Sequence, residues 1–191
     1  MLTLQRIKRT DLRLLENMKN HYSQPKGFVG RNICYAVLWD DLYYGSIVGG
    51  SATLHLPNRN EFFGSPDLKC IVNNIFYHIE KVNGEYPCRN FSAFVLREFQ
   101  NCISVDWKEK YGNDVIGFES LVELPRTGDV YIRDGWQEIG LTKGYTCKRT
   151  AGKGTDSWSG RRVWDTKNLR PKRVFVKRHI TAKVMDSRNE K

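Results

Sequence analysis

Apolar residues along this chain occur at both helical and strand spacing, and the pattern predicts both kinds of element. After Thr10, which can cap a helix, leucines and a methionine recur at three-residue spacing. Runs rich in apolar and β-branched residues predict strands at 33–39, 43–56 and 71–80, with helix as the alternative for the last. The pair Gly49-Gly50 lies inside the second strand, where glycine indicates a bulge or a close approach of two backbones.

The clearest predicted element is a long helix that begins after Asn90 and ends near Lys110. Its apolar residues recur at helical spacing, and they are Phe91, Phe94, Val95, Phe99, Cys102 and Ile103. Shorter patterns then predict a strand at 115–123, a short helix or turn at 128–134, a strand at 142–149 and an edge strand or ribbon at 172–177. The order α-β-β-β-α-β-α-β indicates an α+β (mixed α/β) fold with one long central helix.

The composition is that of a folded chain of about one domain. It has 191 residues, of which 40% are apolar and 12% aromatic, enough to form a core. No run approaches the roughly 18 apolar residues of a membrane span, and the first residues lack the apolar stretch of a secretory signal. The five cysteines include no CxxC pair, which argues against a disulfide framework or a zinc ribbon and favours a reducing cytoplasm.

The positive charge is confined to the last quarter of the chain. Residues 1–141 carry 16 Lys and Arg against 17 Asp and Glu, whereas residues 142–191 carry 15 against 4. A basic segment joined to a balanced body is typical of a protein that binds a polyanion, although a solubilising tail is the alternative. We therefore predict a domain at 1–150 and a basic segment at 151–191, consisting of an edge strand and a tail.

Within and beside this segment, basic residues are the candidate contacts to the phosphates of DNA, and an interleaved tryptophan is a candidate for stacking on a base. The candidates are Lys148, Arg149, Arg161, Arg162, Trp164, Arg170, Lys172, Arg173 and Lys177.

The familiar catalytic motifs are absent from the sequence, which contains no GxxxxGK[ST], GxSxG, HExxH or GxGxxG. The four histidines are scattered, with no second ligand at metal-site spacing, so no metal site is predicted. These absences remove the best-known hydrolases and nucleotide-phosphate enzymes. They leave transferases that act through backbone amides and a few polar side chains.

Four residues are candidates for moving a proton. Tyr131 and Tyr22 can do so if aimed at a strong base, and the alternative for each is an aromatic residue with its hydroxyl at the surface. His21 lies in a predicted loop and has an ordinary pKa near neutrality, but a solvated histidine is the alternative. Glu119 lies in a predicted strand, either facing solvent or buried, where a raised pKa would suit a base.

The stretch from Tyr131 to Gly140 resembles the end of the GNAT acyltransferases, where a tyrosine four residues before a glycine faces the thiolate leaving group. Tyr131 stands at that offset from Gly135, and Trp136 replaces the usual aromatic residue. The resemblance implies a GNAT-like central twisted sheet and acyl-CoA as the cofactor. It also implies that the pyrophosphate lies at the N-terminus of the long helix, where free amides and the helix dipole favour an anion. The residues at that place are Arg89, Asn90, Phe91 and Ser92.

A second resemblance extends from His21 to about Lys177. The residues that carry it include His21-Tyr22, Asn73-Asn74-Ile75-Phe76 and an ending formed by Gly128, Tyr131, Trp136, Gly140 and Thr142. In these the chain is similar to the Mom-like DNA-modification proteins of phages and to the DruA-type domain of Druantia defence systems. The resemblance implies attack by an adenine amine of DNA on an activated acyl group, with Tyr131, His21 and Glu119 handling protons.

Three functions remain open at this stage. The first is a GNAT-like transferase that modifies a base in DNA. The second is a non-catalytic DNA-binding component of a phage or defence system, with other proteins of that system as partners. It is favoured by Ile75, which stands where the related strand carries an arginine, and by the lack of a glycine-rich loop between Gly84 and Asn90. The third is a GNAT enzyme that acts on a small amine or a protein.

Overall fold

The computed structural model describes residues 1–149, 162–165 and 167–179. The strands in this part of the chain are β1 (Leu2–Ile7), β2 (Asn32–Trp39), β3 (Leu42–Ser51), β4 (Ile71–Ile79), β5 (Gly117–Glu123), β6 (Gln137–Leu141), β7 (Thr146–Arg149), β8 (Arg162–Asp165) and β9 (Lys172–Arg178). The helices are α1 (Leu12–Asn20), α2 (Arg59–Phe63), α3 (Phe91–Tyr111) and α4 (Asp129–Arg133). Seven strands form one sheet in the order β1-β2-β3-β4-β5-β9-β6, and β7 pairs with β8 in a separate ribbon.

Neighbouring strands of the large sheet are antiparallel except for β4 and β5, which run parallel. This pair is short, because only Ile71–Asn74 is in register with Gly117–Ser120. Beyond that point β4 continues along β3, while β5 continues along β9. The sheet therefore opens into a cleft between the carboxyl ends of its two parallel strands.

A bulge in β4 lies at the point where the cleft opens. Gly49 of β3 is opposite Asn74 and Val48 is opposite Phe76, so Ile75 is the extra residue. A Cβ atom on Gly50 would lie 2.6 Å from the Ile75 side chain, and one on Gly49 would lie 2.0 Å from Ile103. The predicted bulge is confirmed, with its extra residue in β4, whereas the close approach at these two glycines is to side chains and not to a second backbone.

The core lies between the sheet and α3, which begins one residue after Asn90 as predicted. The buried face of α3 includes Phe91, Val95, Phe99 and Trp107. Burial of each such side chain contributes about 2–3 kcal/mol relative to exposure. The mixed α/β fold class is confirmed.

The prediction of an edge strand at 172–177 was wrong, because β9 pairs with β5 on one side and β6 on the other. Val174, Phe175 and Val176 are fully buried. Phe175 packs into the core on the α3 side, whereas the two valines pack beside Phe63 on the opposite face. Apolar residues on both faces are the mark of an interior strand, and they outweigh the basic residues at its ends.

Other elements also differ from the prediction. β1, β6 and β8 were not predicted, and the predicted strand at 142–149 is extended coil before it becomes β7. β1 and β6 carry a large share of exposed positions, so their apolar pattern is weak. In the part of the chain that the structure describes, no helix is long and apolar enough to cross a membrane.

Candidate active-site cleft

Two cavities meet where β4 and β5 separate. The small cavity has a volume of about 400 Å³ and is lined by the ends of both strands and by Tyr131 of α4. The large cavity has a volume of about 970 Å³ and lies against the loop from Leu54 to Asn60. Five residues line both, namely Tyr22, Ser23, Leu121, Glu123 and Lys172. The two cavities are therefore adjoining parts of one cleft.

The wall of the small cavity includes a set of hydrogen-bonded polar groups that are almost fully buried. The Tyr131 hydroxyl donates to Asn74 Oδ1 at 2.7 Å, and Ser120 Oγ lies 2.9 Å from the same hydroxyl. The Tyr131 ring stacks on Phe175 and meets Trp136 edge to face. Since α4, β4, β5 and β9 each hold this tyrosine, its hydroxyl has one well-defined position at the cleft.

Asn74 joins this set to the bulge in β4. Its Nδ2 donates to the carbonyl oxygen of Phe76 at 3.0 Å, just past Ile75, and to that of Val48 on β3 at 3.2 Å. Its Oδ1 accepts the proton of Tyr131. One side chain thus fixes both the opening of the strand and the hydroxyl that lines it. The sequence analysis did not include Asn74 among its candidate residues.

Burial raises the pKa of Tyr131 well above that of a free phenol, and the hydrogen bond from Ser120 opposes this only in part. The hydroxyl therefore keeps its proton at neutral pH. A protonated tyrosine in a nearly dry site can donate a strong hydrogen bond to an anion that forms beside it.

His21 lies at the C-terminal end of α1 and packs on Phe76. Its Nδ1 accepts a hydrogen bond from the backbone N–H of Ser23 at 3.2 Å. Burial, together with the neighbouring His78 and Arg126, lowers its pKa to about 4. The expectation of a histidine that titrates near neutrality is corrected, since this imidazole is neutral at pH 7.

Tyr22 and Arg126 lie at the junction of the two cavities. The Arg126 guanidinium is 3.4 Å from the centre of the Tyr22 ring, which is a close cation–π contact. Burial raises the pKa of Tyr22, so its hydroxyl is protonated at pH 7. This pair forms a cover over the boundary between the two cavities.

Glu119 is fully buried in an ion pair on the face of β5 opposite Ser120. Its two oxygens accept from the Thr53 backbone N–H at 2.6 Å and from Arg59 at 3.2 Å. Burial raises the pKa of Glu119, and these two donors act in the opposite direction. The predicted grouping of Glu119 with Tyr131 does not match this geometry, because the carboxylate lies on the other face and anchors the loop after β3.

The predicted pyrophosphate site at the start of α3 lies beside the small cavity. Arg89 and Asn90 are exposed, and Phe91 is buried in the core. The Phe91 N–H already bonds to the Cys88 carbonyl oxygen. The start of α3 is linked to the cavity wall at Ser92, whose carbonyl oxygen accepts a hydrogen bond from the hydroxyl of the lining residue Tyr77 at 2.6 Å. Arg89 and Asn90 themselves line neither cavity.

The large cavity has a cationic rim, which we define as Lys143, Arg170 and Lys172. Thr142 and Lys172 are hydrogen-bonded through their backbones, as are Gly144 and Arg170. These bonds place the two ends of the 142–171 segment at the mouth of the cavity. Glu123, which was not predicted, is the partly buried carboxylate on the same wall, 3.9 Å from Arg170.

The structure separates the predicted phosphate contacts into residues on the rim, residues held in ion pairs and residues of the β7–β8 ribbon. Arg170 and Lys172 are on the rim, whereas Arg173 pairs with Glu138 at 2.9 Å and Lys177 pairs with the buried Asp134 at 2.9 Å. A phosphate contact by either of the last two would have to break an existing ion pair. Lys148, Arg149, Arg162 and Trp164 belong to the β7–β8 ribbon, and Arg161 lies outside the described residues.

Comparison with solved structures gives the fold. The chain is similar to the ribosomal-protein-S18-alanine N-acetyltransferase of Escherichia coli, at 10% identity over 95% of this chain and 96% of that one, with a TM-score of 0.53. It is similar to a GNAT family acetyltransferase from Elizabethkingia anophelis with acetyl-CoA bound, at 8% identity over 93% and 98%, with a TM-score of 0.53. A spermidine N-acetyltransferase from Vibrio cholerae matches at 10% identity, over 93% of each chain, with a TM-score of 0.51.

The chain has the GNAT fold. The expectation of a GNAT-like sheet with a long central helix is confirmed. No family model and no curated protein sequence matches this chain, so the resemblance to Mom-like and DruA-type proteins stays a prediction. At these identities the GNAT likeness concerns architecture, and the chemistry has to be argued from the cleft.

Proposed function

We propose that the protein is an N-acyltransferase that moves an acyl group from acyl-CoA to an amine at the β4–β5 cleft. The observation that supports this most strongly is the buried Tyr131 hydroxyl, held by Asn74 and Ser120 at the wall of a cavity that opens between two parallel strands. An opening at the carboxyl ends of parallel strands is a common place for a ligand in α/β sheets.

The small cavity suits the donor. Beyond Asn74, no strand from the described part of the chain lies beside the edge of β4 that faces the cleft, so its backbone can bond to the amides of an extended pantetheine arm. Arg89 and Asn90, exposed beside the first turn of α3, are in a position to bind the pyrophosphate. These are the residues that would hold acyl-CoA, which supplies an activated thioester.

The proposed reaction forms a C–N bond and breaks a C–S bond. The amine nitrogen attacks the thioester carbonyl carbon, and the thiolate leaves with the proton of Tyr131, whose hydroxyl turns from Asn74 Oδ1 toward the sulfur. A proton from solvent then restores the Tyr131 hydroxyl. Glu123, which lines both cavities, accepts the proton that the amine loses. His21 is neutral, and its role is to hold the Ser23 loop against β4.

The acceptor that we propose is a base amine of DNA. The segment 142–171, inserted between two adjacent strands, carries eight Lys and Arg against two Asp. Its two ends carry the cationic rim of the large cavity, on the far side of the cleft from α4. Phosphates bound by the segment would bring a base to that cavity, where a base can be used only after it leaves the helical stack.

The test combines acetyl-CoA binding with mass spectrometry of nucleosides from the DNA of cells that express the protein. The variants are Tyr131→Phe and the control Tyr35→Phe, which removes another buried hydroxyl, one bonded to Asp106. We expect micromolar acetyl-CoA binding by all three proteins, and a new acylated nucleoside with the wild type and the control alone.

Absence of acetyl-CoA binding would refute the acyltransferase. Binding without a modified nucleoside would refute DNA as the acceptor and favour a small amine or a protein. A wild type that retains DNA but not acetyl-CoA would favour the non-catalytic alternative, to which the missing glycine-rich loop before α3 points.

A further inference from the structure

A third cavity lies at the opposite end of α3 from the cleft. We call it the basal cavity; it has a volume of about 550 Å³ and lies between the end of β1, the start of β2 and the last turn of α3. Because α3 has 21 residues, its two ends are about 30 Å apart. A ligand in this cavity would not touch Tyr131 or the cationic rim.

The basal cavity is lined by four basic residues and by no acidic one. Three come from the β1–α1 connection or its edge, namely Arg6, Lys8 and Arg9, and the fourth is Lys110. A pocket of about this size holds a small-molecule ligand in many proteins. Like charges gathered at one place repel one another where counter-charges are few, so such a cluster is favoured when an anion joins it.

The four cations differ in how far they are already neutralised. Arg6 lies 3.7 Å from Asp106 and 3.4 Å from Glu109, so it is largely committed to those carboxylates. Among the residues that the structure describes, Lys8 and Arg9 have no carboxylate within ion-pair distance. Both side chains are exposed at the mouth of the cavity.

The side chain of Lys110 is held in place by a hydrogen bond. Its ammonium donates to the Asn32 carbonyl oxygen at 3.0 Å, which turns it toward the start of β2. At the floor of the cavity, burial raises the pKa of the Cys34 thiol to about 11, and the charges of Lys110 and Arg9 act against that rise. Cations from two separate elements therefore approach the same floor.

The helix dipole accounts for only part of this arrangement. A lysine in the last turn of a helix is stabilised by the negative end of the dipole, which explains Lys110 on its own. Lys8 and Arg9 come from the connection between β1 and α1 and gain nothing comparable. Convergence of cations from different elements, with the Thr10 hydroxyl and the Asn32 amide on the same wall, suits an anion with several oxygens.

We propose that the basal cavity binds phosphate groups, with Lys8, Arg9 and Lys110 as their partners. The phosphates could belong to a free ligand or to the backbone of DNA, and the two sources share this chemistry. The proposal does not depend on acyl transfer, because none of its residues lines the cleft.

The test uses the full chain and two probes, inorganic pyrophosphate and a 20-base-pair DNA duplex, titrated at low salt. The variant Lys8→Gln/Arg9→Gln removes two exposed cations of the cavity. The control Lys69→Gln/Arg133→Gln removes two exposed cations elsewhere, so that both proteins have the same net charge. Acetylation of lysines by an active ester, read by mass spectrometry, reports whether a probe shields Lys8 and Lys110.

We expect the cavity variant to bind at least one probe about tenfold more weakly than the control does, with that probe shielding Lys8 and Lys110 but not Lys69. A loss with pyrophosphate identifies a free phosphate ligand, and a loss with the duplex alone identifies the DNA backbone. Equal affinities of the two variants for both probes would overturn the proposal. So would the absence of shielding, or of any binding by the wild type.

Discussion

The small cavity and the cationic rim of the large cavity are only a few residues apart, yet their polar groups differ in charge and in exposure to water. The wall of the small cavity around Tyr131 consists of neutral polar groups that are buried and hydrogen-bonded, with Asn74 at their centre. The rim consists of charged side chains in contact with water, such as Lys172 and Arg170. Buried neutral groups fix the position of a reacting atom, whereas exposed charges attract a partner without holding it rigidly.

The difference predicts that single changes inside the small cavity have large effects and that changes at the rim have small ones. The largest effect is expected for Tyr131→Phe, which removes the proposed proton donor. Release of free CoA from acetyl-CoA in the presence of duplex DNA should slow by about 100-fold or more. Affinity for acetyl-CoA, measured by calorimetry, should stay within about threefold. An unchanged rate would remove Tyr131 from the chemistry.

The next effect concerns stability and separates two neighbouring asparagines. Asn74→Ala removes the acceptor of the Tyr131 hydroxyl proton and the side-chain donor to two backbone carbonyls, so the free energy of unfolding should fall by about 2–4 kcal/mol. Asn73 donates one side-chain bond, to Thr53, and its Oδ1 has no partner, so Asn73→Ala should cost about 1 kcal/mol. Urea denaturation measures both values. Equal losses of stability in the two variants would contradict the inference that Asn74 fixes both the bulge in β4 and the hydroxyl of Tyr131.

A smaller effect concerns pH. The pKa of His21 is lowered to about 4 in the folded chain from its ordinary value of 6.5, so the unfolded chain binds a proton first as the pH falls. The stability that neutral His21 contributes is thus complete above about pH 6.5 and is lost on the way down to about pH 4. Between pH 7 and pH 5 this loss amounts to about 2 kcal/mol.

The variant His21→Asn keeps an acceptor for the Ser23 N–H but does not titrate. We expect its free energy of unfolding to depend less steeply on pH over the same range, by about that amount. The smaller side chain also loses packing, but that loss lowers the free energy of unfolding equally at every pH. It therefore leaves the slope of that free energy against pH unchanged. If the free energies of unfolding of wild type and variant changed equally with pH, burial would not lower the pKa of His21 as its position indicates.

The smallest effect is expected at the rim, where two adjacent residues form a matched pair. Lys172 lines both cavities, whereas Arg173 is paired with Glu138. Lys172→Gln should weaken binding of duplex DNA by about two- to fivefold and reduce the slope of log affinity against log salt by about one. Arg173→Gln should change both values less. The reverse ranking would place the nucleic acid elsewhere on the surface.

Much of the fold could be predicted from the sequence because its main elements have a strong apolar pattern. The helix α3 follows the helical spacing of its apolar residues to within a residue, and β2 to β5 follow their apolar runs. β1 and β6 could not be found in this way, since half or more of their side chains face water and pairing with a neighbour defines them. The position of β9 inside the sheet depends on long-range packing, although its unbroken Val-Phe-Val core was a signal.

The candidate site was predictable in part. Tyr131, Tyr22 and His21 all line the cleft, and the role that the offset from Gly135 implies for Tyr131 stays a prediction. Glu119 is buried, but the ion pair with Arg59 depends on a contact across 60 residues that no local pattern reveals. Asn74 left a usable sign, because asparagine is rare inside strands and two stand together here.

The place of β9 also sets the order in which a working cleft can be assembled during synthesis. The strand ends 55 residues after β5, and its Phe175 is the ring on which Tyr131 stacks. At about 5–20 residues per second, a ribosome needs roughly 3–11 s to cover that distance. For those seconds β5 is an open edge, the kind of surface that chaperones cover and that aggregates through its backbone. A stop codon anywhere before β9 would therefore cost the nascent chain an interior strand of its sheet and the partner of β6, rather than a dispensable end.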